Sequence, residues 1–512
     1  MNRWHSAYES VLFSVKILVL GLLFSGIGNV FLNTYMVNTF HWSNSLLTVV
    51  AYVLVYIGSF IITLYPLLLL SVLLLSKTND NTQVVTGIVN YVVLQIVVTF
   101  AYPMLSKATL SSNVFNSFFS VNLEKLGIGT GTGSAFSLGL IAALIVYVIT
   151  RYSSKQTTRF GGYGLLGFLD NHMWSLLLGV LLTAAAGIAL AYIWPFILQL
   201  LYAIFDVIRS DVRNPMNFFI YGFVDRIASL LNLSNIVRSE FWLASFGGSW
   251  MDSFGSVFNG DLNIWLAQMN LGILYESGKF TAAYYIINIF AIPGYLFAMY
   301  RTYSGSYERR KHLILLIVVF LISVLSGNIL PIEIIMLLTA PLLYVIHLLL
   351  VSLIFAIVSG LSLFVGFSTM TTLNTANPGN LIDFIFYYNN SLLSNRIILM
   401  IYIGVIAFAV YFIITTFYYN NMALDILNIG VKDKKINGMI SGLGGLDNIR
   451  NIQATPTKII VNMLDSQKIN ISELHQIGVV RIVESRAGFT LHFGSGSYML
   501  VKNIKRLLRH AR

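Results

Sequence analysis

Three stretches of the 512-residue chain carry side chains whose type and spacing could do chemistry. The first is the loop Ala454-Thr455-Pro456-Thr457, which stands ahead of a strand-like run, Lys458-Ile-Ile-Val-Asn-Met463. A threonine hydroxyl becomes a nucleophile only beside a general base. No His, Asp or Glu is near Thr455 in sequence, and His475, His492 and His510 reach it only through the fold. Pro456 fixes φ and removes a donor, so the loop offers one backbone amide fewer to an anion. The second stretch, 205–280, sets Asp206, Arg209, Asp211, Arg213, Asp225, Arg226, Arg238, Glu240, Asp252 and Asp261 among oily neighbours. Charges so placed face a cavity or another protein surface rather than lipid. Gly and Pro break its apolar pieces, as in re-entrant segments lining a water-filled site. An extramembrane loop or an amphipathic interfacial helix is the alternative. The third stretch is Ser326-Gly-Asn-Ile-Leu-Pro-Ile-Glu333. A Pro and a Glu inside a long apolar run are costly unless they serve a site. The alternative is a turnaround between two membrane segments, with Glu333 near the interface.

Other chemistry is excluded by what is missing. The chain has no cysteine, which removes disulfides, thiolate metal sites and thiol catalysis. It has no G-x-x-x-x-G-K-[ST], H-E-x-x-H or C-x-x-C, and its eight histidines lack ligand spacing, so no cofactor or metal is expected. Gly127-Ile-Gly-Thr-Gly-Thr-Gly133 resembles a phosphate loop but follows no clear strand and opens an apolar run, so it is taken as a turn.

The elements that must position these residues are mostly membrane helices. The chain is 57% hydrophobic and 10% charged, against about 25% charged in soluble domains. Runs long enough to cross ~30 Å of hydrocarbon recur near 10–34, 46–76, 86–105, 134–150, 173–204, 280–300, 312–330, 333–366 and 396–418. The N-terminal run is too long for a signal peptide and shows no small-residue cleavage site, so it is expected to be an uncleaved first helix. The fold expected is a polytopic α-helical membrane domain of about nine or ten transmembrane helices plus re-entrant segments. Behind it comes a small α/β domain, an antiparallel sheet with helices on one face. The boundaries are 1–422, a linker at 423–434, and 435–512. In the tail, helices are expected at 435–443, 471–476 and 498–510, and strands at 458–463, 479–484 and 490–493. The polar joints 151–159 and 301–311 are rich in Lys and Arg, which places them, and with them the tail, in the cytoplasm. Of the net charge of +11, residues 423–512 carry +7, from 13 Lys and Arg against 6 Asp and Glu. A basic tail suits nucleic acid, a lipid surface or acidic partners. No basic–aromatic interleaving is present, so nucleic acid is not expected, and a solvated module obeying the positive-inside rule is the simpler reading.

Several pieces occur in one order: LAYIWPFILQLLYAIFDVI (190–208), FIYGFVDRI (219–227), GDLN (260–263), FAIPGYLFAMY (290–300) and APLLYVIH (340–347). This order resembles the glucose/maltose/N-acetylglucosamine superfamily of sugar permeases in the phosphoenolpyruvate-dependent phosphotransferase system (PTS). That family's membrane part, enzyme IIC, carries FLYGFxNRLL-x-PFGLHH, GDL, FGLPAAxLAMY and GITEPIEFxFxFVAPLLYVIH. The tail LGGLDNIRNIQATPTKIIVNMLD is similar to the family's enzyme IIB pattern, LGGxxNIxxxxACxTRLRxxxxD. The resemblance covers nearly the whole chain, in IIC-then-IIB order.

What the resemblance implies is a bacterial cell-membrane protein with a cytoplasmic IIB module. In the family that module takes phosphate on its cysteine from a soluble IIA partner and passes it to a sugar held in IIC. Here Thr455 occupies the cysteine position, so no catalytic residue is expected. The family arginine matches Arg226, its histidine pair falls on Ser234 and Asn235, its first glutamate falls on Leu330, and its second matches Glu333. Arg226, Ser234, Asn235 and Glu333 are the substrate-binding candidates, with Arg226 and Glu333 alternatively a structural ion pair. The resemblance also implies a homodimer through the IIC part, a sugar or glycan ligand, and soluble PTS partners. Two functions follow: a PTS-type sugar permease unable to phosphorylate sugar itself, or a non-transporting scaffold, sensor or receptor that keeps the IIC fold. The first expects Arg226, Ser234, Asn235, Glu333, Trp242 and Trp250 to converge on one polar pocket. The second expects apolar side chains to fill that volume.

Overall fold

The computed structural model describes residues 3–41, 45–78, 80–106, 138–157, 171–273, 277–303, 306–368, 372–422, 432–485, 488–494 and 496–511. The glycine-rich stretch 127–133, the end of the basic joint at Arg159, most of the proposed linker and the turn residues Arg486 and Ala487 lie outside the described residues.

Long apolar segments form helices because only a helix satisfies its own backbone in lipid. The first half contributes α1 (Arg3–Leu32), α2 (Thr34–Phe40), α3 (Ser45–Thr78), α4 (Asn81–Ser106), α5 (Gly139–Thr157) and α6 (Asn171–Ser210). A mixed segment follows: α7 (Pro215–Leu230), α8 (Ser234–Arg238), the short hairpin β1 (Ser249–Met251) and β2 (Val257–Asn259), and α9 (Asp261–Asn270). Then come α10 (Ala283–Thr302), α11 (Ser306–Ser326), α12 (Leu330–Thr339), α13 (Pro341–Gly360), α14 (Leu381–Tyr388) and α15 (Ser394–Phe417). Among the described residues seven helices are long and apolar enough to cross a membrane, and His312–Ser326 and Leu330–Thr339 are shorter apolar helices.

The apolar run 333–366 is not one helix. It breaks at Ala340, which sits at φ −149° and ψ 68°, and α13 restarts with Pro341 in its first turn. The residue before a proline is pushed out of the helical region, while the proline itself suits the start of a helix. Ser326–Glu333 is likewise a break and restart. Gly327 takes φ +63°, where a Cβ would stand 2.4 Å from the Pro378 carbonyl oxygen. Asn328 then accepts the Leu330 N–H at 2.9 Å, and Pro331 falls in the first turn of α12.

The C-terminal unit is a four-stranded antiparallel sheet in the order β3-β4-β6-β5 with three helices. Its elements are α16 (Lys432–Gly442), β3 (Ile449–Ala454), β4 (Lys458–Met463), α17 (Ile471–Gln476), β5 (Arg481–Ser485), β6 (Gly488–His492) and α18 (Ser497–Ala511). The register sets Ile452 against Val461 and Ile459 against Leu491. These side chains and Leu474, Leu500, Val501 and Ile504 close a core of their own, separate from that of the membrane part.

Asn448 ties this unit together. Its Nδ2 donates to the Leu443 and Asp465 carbonyls, both at 2.9 Å, and its Oδ1 accepts the Asp465 N–H at 2.8 Å. Asn448→Ala leaves those buried groups unpaired and is expected to cost the unit about 2–3 kcal/mol. Amide exchange across 446–465 should accelerate accordingly, and unchanged exchange would contradict the role given to Asn448.

Candidate functional site

α7 builds the first part of the membrane site. Asn214 caps it by accepting the Met216 N–H at 3.0 Å, and Pro215 opens it. Its buried residues are Asn217, Phe218, Tyr221, Gly222, Asp225, Arg226 and Ser229, a stripe at helical spacing. Asp225 and Arg226 thus lie on the same inward face as the aromatic residues. At Gly222 a Cβ would meet the Phe355 ring at 2.6 Å, so glycine lets α7 lie close to α13.

Arg226 and Asp225 are 2% and 0% exposed. Arg226 Nη2 donates to Asp225 Oδ2 at 2.6 Å, and its Nη1 is 3.5 Å from Glu333 Oε1. Arg238 of α8 donates through Nε to Asp225 Oδ1 at 3.0 Å. Tyr284 of α10 gives its hydroxyl proton to Asp225 Oδ2 at 2.6 Å. Its ring lies under both guanidinium groups, 5.2 Å from Arg226 and 5.5 Å from Arg238, an arrangement that attracts cations to the ring face. On the other side, Glu333 Oε1 is 3.3 Å from His347 Nε2, and His347 Nδ1 is 3.0 Å from the Tyr411 hydroxyl. Counted as ionised, two arginines balance two carboxylates in a closed buried set.

The structure therefore brings Arg226 and Glu333 together, and Glu333 lies buried rather than at an interface. Ser234 opens α8, and Asn235 donates to Asn374, which donates in turn to Thr63 at 2.7 Å. Neither Ser234 nor Asn235 hydrogen-bonds to Arg226 or Glu333. Trp242 is buried, with its indole N–H given to Tyr221 at 3.0 Å and its ring 5.1 Å from the Arg238 guanidinium. Trp250 lies apart, on β1 against Phe258. The expected convergence of all six residues is thus incomplete. Leu330 is buried with Leu18, Leu22, Ile62, Tyr65 and Ile322. A cavity beside His347 and Tyr411 measures about 10 Å³, room for one water. A wider cleft of about 480 Å³ lies elsewhere, along β2 and α9. Glu333 Oε2 and the Tyr344 hydroxyl are buried without partners.

Sequence reasoning passed over Arg238 and Asp225 as site residues and missed Tyr284, His347 and Tyr411. His347 closes APLLYVIH and Asp225 adjoins Arg226, so motif neighbourhood was the available signal.

The tail loop is a tight turn between β3 and β4. Thr455 is 5% exposed. Its N–H donates to the Lys458 carbonyl at 2.8 Å, and the Lys458 N–H donates to Thr455 Oγ1 at 3.0 Å. The hydroxyl donates back to the Lys458 carbonyl at 3.3 Å. Pro456 has no N–H. The threonine oxygen is thus spent on holding its own turn. His475 bonds the Val479 carbonyl at 2.7 Å, and His492 pairs with Lys458 across the sheet. Neither bonds to Thr455. The His510 side chain lies outside the described residues.

No family model matches the chain. It is similar to a PTS system glucoside-specific EIICBA component from Staphylococcus carnosus (strain TM300), with 25% identity over 405 residues. That alignment covers 75% of this chain and 54% of the relative, so the chain spans about half the length of the curated protein it matches. The chain is a PTS IICB-like membrane protein. Its many apolar helices make it a multi-pass one.

Asp225 serves two arginines and a tyrosine, whereas Glu333 serves one arginine and a histidine. Breaking a buried pair costs about 3–5 kcal/mol. Asp225→Asn is expected to lower unfolding stability in detergent by about that amount and Glu333→Gln by less. The reverse order in denaturant titrations would contradict Asp225 as the hub.

Proposed function

We propose that this protein belongs to phosphoenolpyruvate-dependent sugar transport at a bacterial cell membrane but relays no phosphate through its own IIB-like unit. The observation that carries this is the closed turn at Thr455 in a chain without cysteine. A transferable phosphoryl group needs a nucleophile with a base, and an anion site needs free amides. At residues 455, 456 and 458 the amide is bonded within the turn or replaced by proline. The IIB-like unit lies on the cytoplasmic side in this reading, as the basic joints 151–159 and 301–311 expect. A sugar or glycan is the ligand, held near Arg226 and Glu333, where Glu333 Oε2 and the Tyr344 hydroxyl lack partners. Ser234 and Asn235 are then secondary contacts, reached when the helices move. The membrane part pairs with a second copy, and any phosphoryl transfer to sugar uses a IIB unit on another chain, served by soluble PTS proteins.

A second reading is a scaffold, sensor or receptor that does not transport. It is favoured by the mutual neutralisation of Arg226, Asp225, Arg238 and Glu333 and by the apolar packing of Leu330. Saturable binding of a glucoside or other glycan, weakened about tenfold by Glu333→Gln, supports the permease. No binding of any glycan favours the scaffold.

Incubating the purified chain with radiolabelled phosphoenolpyruvate, the general PTS proteins and IIA tests the phosphorelay. No label above that of Thr455→Ala is expected. A labelled band that disappears in Thr455→Ala would overturn the proposal.

A further inference from the structure

The last helix, α18, has two unlike faces. Leu500, Val501 and Ile504 are buried in the unit's core, and Met499 is buried too. Lys502, Arg506 and Arg509 are exposed, Lys505 is half-buried beside them, and the helix holds no acidic residue. Spacings of three and four make these four cations neighbours on one surface, and like charges so placed repel. Burial, and then the Arg509 charge, push the Lys505 ammonium down from its ordinary value. The helix dipole welcomes a cation in the last turn, as at Arg509, but not Lys502 near the middle. Leu507 is exposed as well, but on another side of the helix. α18 also packs against Tyr418–Met422, the π-helical turn that ends the final membrane span. The helix therefore stands beside the end of that span.

We propose that the basic face of α18 seats on anionic phospholipid headgroups of the leaflet in which the last span ends. A polybasic segment beside a membrane span gains from the negative surface potential, within a Debye length of the bilayer. Headgroups relieve the repulsion among Lys502, Lys505, Arg506 and Arg509 and hold the C-terminal unit down on the bilayer. A soluble acidic protein would match the charge, but it would not explain why the helix stands against Tyr418–Met422.

The absence of cysteine permits a direct test on the full chain. Arg509→Cys, labelled with an environment-sensitive fluorophore, is compared in nanodiscs of phosphatidylcholine alone and with one-third phosphatidylglycerol. Blue-shifted emission and several-fold stronger quenching by headgroup nitroxide lipids are expected in the anionic discs. High salt, and the further combined change Lys502→Gln, Lys505→Gln and Arg506→Gln, should abolish both. A probe at exposed Lys468→Cys should not respond, and an unchanged melting temperature should show that the triple variant folds. Equal signals in both lipids overturn the proposal, as does quenching that survives the triple change. A response to added acidic protein but not to phosphatidylglycerol also overturns it.

Discussion

Desolvation of charge is the constraint on which the membrane part is organised. Arg226, Arg238, Asp225 and Glu333 sit where water cannot reach, and each is tolerable only because the others are present. The partners come from five helices: α7 gives Asp225 and Arg226, α8 gives Arg238, α10 gives Tyr284, α12 gives Glu333 and α13 gives His347. Satisfying them fixes how these helices stand together. It also explains why the mixed stretch after α6 folds inward, and why α12 begins at a glycine-and-proline break that delivers Glu333 to Arg226.

The loop of the C-terminal unit shows the same economy at smaller scale. Thr455 donates and accepts within its own turn, so its oxygen is a structural element, and Pro456 removes a neighbouring donor. A thiolate in that place would be a soft nucleophile beside an amide cradle. The present loop is a hairpin connection. In the membrane site and in the tail loop alike, most polar groups are bonded to one another.

Much of this organisation was legible from local patterns. The strand 458–463 and the helix 471–476 lie at the residues expected of them, and Asn470 caps the helix by accepting the Glu473 N–H at 3.2 Å. Strand β3 was missed for a physical reason: the register shifts between Ile449 and Asn451, so buried Ile449 and Ile452 are three apart and the two-residue period is lost. The break at Ala340 was hidden inside an unbroken apolar run. The pairing of Arg226 with Glu333 came from motif alignment. Arg238, Tyr284 and Tyr411 are bound by long-range contacts that no local spacing announces. Ser234 and Asn235 entered by alignment alone, and the fold bonds Asn235 to Asn374 instead.

The central claim is that sugar phosphorylation does not run through this polypeptide's own C-terminal unit. It is tested most directly in vesicles that contain only this chain as membrane component, supplied with phosphoenolpyruvate, the general PTS proteins and candidate glucosides. Free sugar alone should be recovered, at the level of empty vesicles. Sugar phosphate formed above that background would contradict the account.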